Sequence, residues 1–148
     1  VKGLSLDLSR KSSGIAVWVG DQPVKVETIA LPKGFLGEQL AEWEQHVERM
    51  FLPDYTWVAY EDARAVSKQH GMILFGMTGM VLAECWKRGI PALGFAQTTV
   101  KKALTGSGKS DKSQMLEAAR IRWPHLGIKT DDEADALGVG LAFWATQG

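Results

Sequence analysis

Apolar and polar positions alternate along the first part of the chain. "GLSLDLS" (3–9) and "GIAVWVG" (14–20) flank a polar "RKSS", which predicts a β-hairpin. "PVKVETIAL" (23–31) alternates clearly and predicts a third strand, ended by Pro32 and Gly34. The period then changes. Leu40, Trp43, Val47 and Met50 recur at helical spacing, so 37–51 reads as an amphipathic helix. "YTWVAYE" (55–61) is a β-rich fourth strand, 68–88 a long helix and "IPALGFA" (90–96) a short fifth strand. A helix over 97–104, a glycine loop at 105–109 and a helix from Ser110 to Trp123 follow. Pro124 stops that helix, and one more helix opens at Thr130. The order β-β-β-α-β-α-β-α-α-α predicts one α/β domain over 1–148, a mixed five-stranded sheet with helices on both faces.

Five positions in these elements need a reason. Gly71, Gly76 and Gly79 sit inside the long 68–88 helix, where glycine costs stability, so close packing or a nearby ligand backbone is expected. Cys85, the single cysteine, reads as a small apolar residue on a helix face. The strongest anomaly is Asp135. From Ala134 to Ala145 it is the only ionisable residue, on a helix apolar on nearly all sides and therefore buried. The start of that helix is easily explained. Thr130 and Glu133 have the T-x-x-E spacing of a capping box, and Asp131, Asp132 and Glu133 complement the helix dipole. Asp135 fits neither account, and no basic residue lies within a turn of it. A buried carboxylate must be paired, protonated or bound to a metal.

Charge narrows the picture. The 17 Lys and Arg balance 17 Asp and Glu, so the sum gives no hint of nucleic acid. The distribution does: Lys101, Lys102, Lys109, Lys112, Arg120 and Arg122 cluster, opposed only by Asp111 and Glu117. No apolar run is long enough to span a membrane, and no basic segment precedes an apolar one as in a secretory signal. With one cysteine and no disulfide framework, a cytoplasmic location is the expectation.

Three more acids join Asp135. Asp7 lies inside the first strand, where aspartate is depleted. Glu61 ends the fourth strand, the edge where α/β sheets place their chemistry. Asp132 precedes Asp135 by three residues and shares its helix face. If the first and fourth strands are neighbours, all four acids converge. Clustered carboxylates are unstable alone, and hard cations resolve the conflict. The all-oxygen donor set suits Mg²⁺ or Mn²⁺, and the scattered His46, His70 and His125 give no zinc site.

These residues carry a resemblance. "LSLDLSRKSSGIAV", "VAYED", "VKKALTGSGKSDKSQ" and "DDEADALGVGLA" stand in the order and approximate spacing of the RuvC Holliday junction resolvases of the RNase H-like superfamily. The resemblance implies an RNase H-like fold and an endonuclease that resolves four-way DNA junctions by paired nicks, leaving 5′-phosphate and 3′-hydroxyl ends. It implies a homodimer with one site per subunit and two Mg²⁺ ions, replaceable by Mn²⁺, held by Asp7, Glu61, Asp132 and Asp135. Lys101 and Lys112 correspond to basic residues near the scissile phosphate, and Arg10, Lys11, Arg64, Lys68, Lys102 and Lys109 to further DNA contacts. Two departures point to a divergent, phage-borne relative. Leu8 and Ser9 replace a Pro-Gly after the first Asp, and Arg64 stands where an aromatic residue acts at the junction centre. Arginine stacks through its guanidinium and adds a phosphate-pairing charge. The 68–88 helix, rich in Met and Gly, is expected either to pack in the core or to form the dimer surface.

Other readings are weaker. A wider branched-DNA nuclease acting on flaps or Y-junctions shares the same acids. A non-catalytic junction binder has no use for four carboxylates near phosphates. "TGSGKS" resembles the end of a P-loop, but Ala103 stands where the first glycine belongs and a helix precedes it, so no nucleotide cofactor is expected. An actin-like ATPase needs a second subdomain.

Overall fold

The computed structural model describes residues 1–62 and 68–148, with side chains for all of these except Lys68 and Gln69. The elements are β1 (Lys2–Asp7), β2 (Ser12–Val19), β3 (Gln22–Ala30), α1 (Leu36–Met50), β4 (Trp57–Glu61), α2 (Lys68–Arg88), β5 (Ala92–Phe95), α3 (Gln97–Thr105), α4 (Lys112–Arg122) and α5 (Asp131–Thr146). A single 3₁₀ turn, Pro124–Leu126, follows α4. The strand order is β3-β2-β1-β4-β5. β2 runs antiparallel to both β1 and β3, and β1, β4 and β5 run parallel. The expected mixed five-stranded sheet is present, with β1 beside β4.

Side chains alternate between the two faces of each strand. Leu4, Leu6, Ile15 and Val58 pack with Trp43, Val47, Ile73, Met77, Val81 and Cys85 of α1 and α2. Ala16, Trp18, Trp57 and Ala59 pack with Val100, Met115, Leu137 and Phe143 of α3, α4 and α5. Asp7 and Glu61 have the parity of the second set, so both face α5. Leu6 pairs with Tyr60, and one step further along the parallel pair puts Asp7 beside Glu61.

Small residues let α5 lie close to the sheet. A Cβ on Gly140 would come within 2.1 Å of the Trp18 ring, and one on Gly14 within 1.8 Å of the Asp132 carbonyl oxygen. The Ser5 hydroxyl donates to the Ala136 carbonyl at 2.7 Å and accepts from the Trp18 indole at 2.8 Å. This chain of bonds fixes α5 along β1. Trp57 and Phe143 stack at 3.9 Å between ring centroids, anchoring the far end of the helix.

Several expectations shift in detail. β4 starts at Trp57, because Tyr55 leaves the strand to pack edge-on against Phe51. α4 starts at Lys112, not Ser110: Asp111 caps it reciprocally with Gln114, while Ser110 is buried and bonded to Thr105. The expected capping box at α5 is half formed. Thr130 accepts from the Glu133 N–H at 3.1 Å, but the Glu133 carboxylate turns to the Lys129 N–H at 2.8 Å and the Thr28 hydroxyl at 2.9 Å. Glu133 is a latch between β3 and α5 rather than only a dipole partner. In α2, Gly76 lies against Leu40, the close packing expected of it, whereas Gly79 faces outward. Cys85 is 2 % exposed, and burial pushes its thiol up to about 11, so it stays an unreactive core residue.

Candidate active site

β1 and β4 end side by side, and the first turns of α5 lie across them. The cleft between is lined by Asp7, Leu8, Ser9, Glu61, Asp62, His70, Leu74, Gln97, Lys112, Asp131, Asp132 and Asp135, and encloses about 340 Å³. All four acids singled out from sequence meet here.

Their electrostatics show a surplus of negative charge. Asp7 is 7 % exposed. Burial raises its carboxyl well above the usual carboxylate range, and Glu61, Asp135 and Asp132 raise it further. Asp135 is pushed up to about 7, by burial first and then by Glu61, Asp131 and Asp132. The two carboxyls lie within hydrogen-bonding reach of each other. Asp132 is raised by burial, partly offset by the Ser12 hydroxyl, which donates to its Oδ2 at 2.5 Å.

Among the described residues, no three carboxylate, imidazole or thiol groups are already drawn in around one point. Asp7 and Asp135 are instead like charges forced together, and both carboxyls are raised. A divalent cation between them would relieve that conflict. The donors are all oxygens, from two strands and a helix, and suit Mg²⁺ or Mn²⁺ rather than a softer metal.

The basic residues divide. Lys112 lines the cleft, with Nζ 3.7 Å from an Asp131 oxygen and its side chain exposed. Lys101 is half-buried on α3 outside the cleft lining, while Lys102 and Lys109 are exposed beyond it. Arg10 and Lys11 sit on the β1–β2 turn. Arg64 lies outside the described residues, as does the Lys68 side chain. The 105–111 segment is no phosphate-binding loop in form. Gly106 closes α3 in the left-handed region at φ 87°, and the Ser110 hydroxyl is engaged by Thr105 and Ser107.

Sequence reasoning missed His70, Gln97, Asp62 and Ser12. His70 opens α2, Gln97 opens α3, and nothing in their local patterns marks them. Asp62 follows Glu61 directly, a signal available but not used. Ser12 reaches Asp132 across 120 positions of chain, which only the folded structure reveals.

Comparisons with known proteins follow the same outline. Residues 22–143 match the family described as Crossover junction endodeoxyribonuclease RuvC. That span holds Glu61, Asp132 and Asp135 but not Asp7, which takes its place through the β1–β4 pairing. A RuvC of Nitratidesulfovibrio vulgaris (strain DP4) is 29 % identical over 138 residues, covering 89 % of this chain and 78 % of the relative. A RuvC of Anaeromyxobacter sp. (strain K) is 37 % identical over 81 residues, 53 % of this chain. That match spans only 42 % of the relative's length. Among solved structures, Thermus thermophilus RuvC in complex with Holliday junction substrate superposes with a TM-score of 0.79. It covers 100 % of this chain and 96 % of that one at 18 % identity, a likeness of fold.

Proposed function

Because the chain belongs to the RuvC family of crossover junction endodeoxyribonucleases, we propose that it hydrolyses phosphodiesters in branched DNA, four-way junctions above all, in a divalent-metal-dependent reaction. The observation that carries this is the convergence of Asp7, Glu61, Asp132 and Asp135 on one cleft where β1 and β4 end beneath α5, with Glu61 and Asp132 raising the Asp7 and Asp135 carboxyls. Acids held against their own repulsion are costly to the fold and serve a purpose beyond it.

Asp7, Glu61, Asp132 and Asp135 would hold two Mg²⁺ ions. Bound there, these supply Lewis acidity to activate a water and to stabilise the leaving 3′ oxygen. The protein's own groups set the geometry. The Ser5 bonds to α5 fix the spacing of Asp7 and Asp135, and Ser12 orients Asp132. Lys112, exposed at the rim, swings from Asp131 to a phosphate oxygen and neutralises charge that grows in the transition state. The products are a 5′ phosphate and a 3′ hydroxyl.

A four-way junction has two equivalent strands to cut, so the working form is a homodimer. α2 supplies the surface. Its inner side is core, and its outer side exposes Met72, Phe75, Leu82 and Trp86, at 51, 59, 37 and 87 %. With Gly79 these follow a seven-residue repeat, the spacing of a helix-pairing seam. Trp86→Glu is expected to convert a dimer to a monomer in sedimentation velocity.

The deciding experiment offers synthetic four-way junctions, flaps and linear duplex side by side, with Mg²⁺ and then Mn²⁺. Paired symmetric nicks in the junction, with little cutting of duplex, are expected. Equal cutting of flaps and junctions would move the reading to a general debranching nuclease. No metal-dependent cutting of any substrate would end it.

A further inference from the structure

The turn that carries Leu8 and Ser9 into the acidic cleft carries Arg10 and Lys11 away from it, into a second cavity. This one encloses about 560 Å³ and is lined by Arg10, Lys11, Leu31, Lys33, Gly34 and Gln39. It is a built site. Gln39 is 4 % exposed, accepts from Arg10 Nε at 3.1 Å and donates to the Pro32 carbonyl at 3.0 Å. The Leu31 N–H donates to the Lys11 carbonyl at 3.0 Å. One buried amide thus ties the arginine to the β3–α1 loop that carries Lys33. The nearby Glu38 carboxylate accepts from the Phe35 N–H at 3.3 Å, and among the described residues no acid forms an ion pair with Arg10, Lys11 or Lys33.

Three cations line one cavity with no ion pair to any of them among the described residues, one of them held in place by a buried amide. That arrangement fits an anion. Arg10 is three residues from Asp7, so their Cα atoms are at most about 11 Å apart. Each DNA strand carries one phosphate per about 3.4 Å of axial rise. A strand whose scissile phosphate sits at Asp7 has its neighbouring phosphates within reach of this pocket.

We propose that Arg10, Lys11 and Lys33 form a phosphate-anchoring pocket, organised by Gln39, that grips the DNA backbone about three nucleotides from the cut. The proposal rests on the nuclease reading above and adds Lys33 and Gln39 to it. Contacts from cationic side chains to phosphate carry no sequence information, so the grip is indifferent to sequence. It fixes the register of the strand over the acids.

The test measures affinity of the full chain for a fluorescent four-way junction across a salt series, without divalent metal. Lys11→Ala and Lys33→Ala remove exposed side chains, so folding is not at stake, and matching thermal melts check this. Each is expected to weaken binding severalfold at about 0.1 M salt and to reduce the slope of log affinity against log salt by about 0.9. The double variant should lose about twice that. Lys25→Ala, on the exposed edge of β3, is the control and should leave both quantities unchanged. Wild-type affinity and slope in Lys11→Ala and Lys33→Ala, alongside a loss in Lys112→Ala, would overturn the pocket and leave the nuclease reading standing. An equal loss in Lys25→Ala would also overturn it, as a diffuse field rather than a site. No junction binding by the wild type would take down both.

Discussion

The first turns of α5 carry a buried carboxylate on one side and a half-buried one on the other, in opposite circumstances. On the β3 side Glu133, 5 % exposed, receives the Lys129 N–H and the Thr28 hydroxyl. On the β1–β4 side, two residues along, Asp135 meets Asp7, Glu61 and Asp132, and its carboxyl is pushed up to about 7. Both acids interrupt an apolar helix, Glu133 buried and Asp135 half-buried at the cleft. One is surrounded by donors and closes a structural bond. The other is surrounded by acids and stores a conflict. Asp7 on the acidic side is 7 % exposed, nearly as buried as Glu133, so burial does not separate the structural acid from the functional one; the sign of the neighbours does.

The largest effect should come from breaking the acidic side. Asp7→Asn removes one carboxylate while keeping shape and a hydrogen-bonding amide. Junction cleavage should fall on the order of 10³-fold, as for losing several kcal/mol of transition-state stabilisation. Junction binding should hold or tighten, because a negative charge near phosphates is gone. The metal-free protein should melt no lower than wild type, because repulsion is relieved. Cleavage at the wild-type rate would mean the acids are not the site.

The same side should respond to pH. Asp135 is raised in the folded state, so the native protein binds protons there more tightly than the unfolded chain does. Below the unfolded value, 3.8, both states are protonated and nothing is lost. As pH rises towards about 7 the folded state must give up a proton it favours, and stability falls. Metal-free protein should thus melt at a higher temperature near pH 5 than near pH 8. Mg²⁺ should recover the loss at pH 8 by binding the folded state. Asp135→Asn should flatten this part of the profile. A profile unchanged by that substitution would show that Asp135 and its neighbours are not in conflict.

The contrast was only half legible in sequence. Asp7 stands out because a strand disfavours aspartate, and Asp135 because it is the only ionisable residue from Ala134 to Ala145 with no basic residue within a turn; both lie in the cleft. The strands and helices followed from alternation and helical spacing, which packing against a common sheet preserves. Glu133 was read as a local cap because its spacing from Thr130 matched one. Its real partner on β3, Thr28, is 105 positions away and carries no local mark. His70 and Ser12 escaped for the same reason: their roles come from strand order and helix placement, not from their own neighbours. The glycines of α2 signalled close packing correctly at Gly76, but pattern alone did not show that Gly79 lies on the open side.

Glu133→Ala tests the satisfied side. It leaves the Lys129 N–H and Thr28 hydroxyl without their acceptor and loosens β3 from α5. The expected cost is about 1–3 kcal/mol, or about 2–4 °C in Tm per kcal/mol for a chain of this size. Cleavage well below the melting temperature should be largely retained, the reverse of Asp7→Asn. A loss of cleavage as deep as that of Asp7→Asn, in protein shown to be folded, would merge the two sides into one site.

Ser12 is where the two sides meet. It begins β2, and its hydroxyl donates to Asp132 Oδ2 at 2.5 Å, giving the acidic side one neutral donor from the strand that bonds β3. That donor offsets part of the burial that raises Asp132, so it helps keep the carboxylate charged and aimed at the cleft. Removing it leaves every proposed ligand in place and changes only the support of one. Loss of such a supporting bond typically costs about 10-fold or more in metal affinity. Ser12→Ala should therefore raise the Mg²⁺ concentration for half-maximal cleavage about 10-fold, while the rate at saturating Mg²⁺ stays near wild type. Melting in the absence of metal should change little, because the hydroxyl's partner stays half-exposed to water. A reduced maximal rate with unchanged Mg²⁺ dependence would place Ser12 on the DNA instead, and Asp132 would then need another explanation for its orientation.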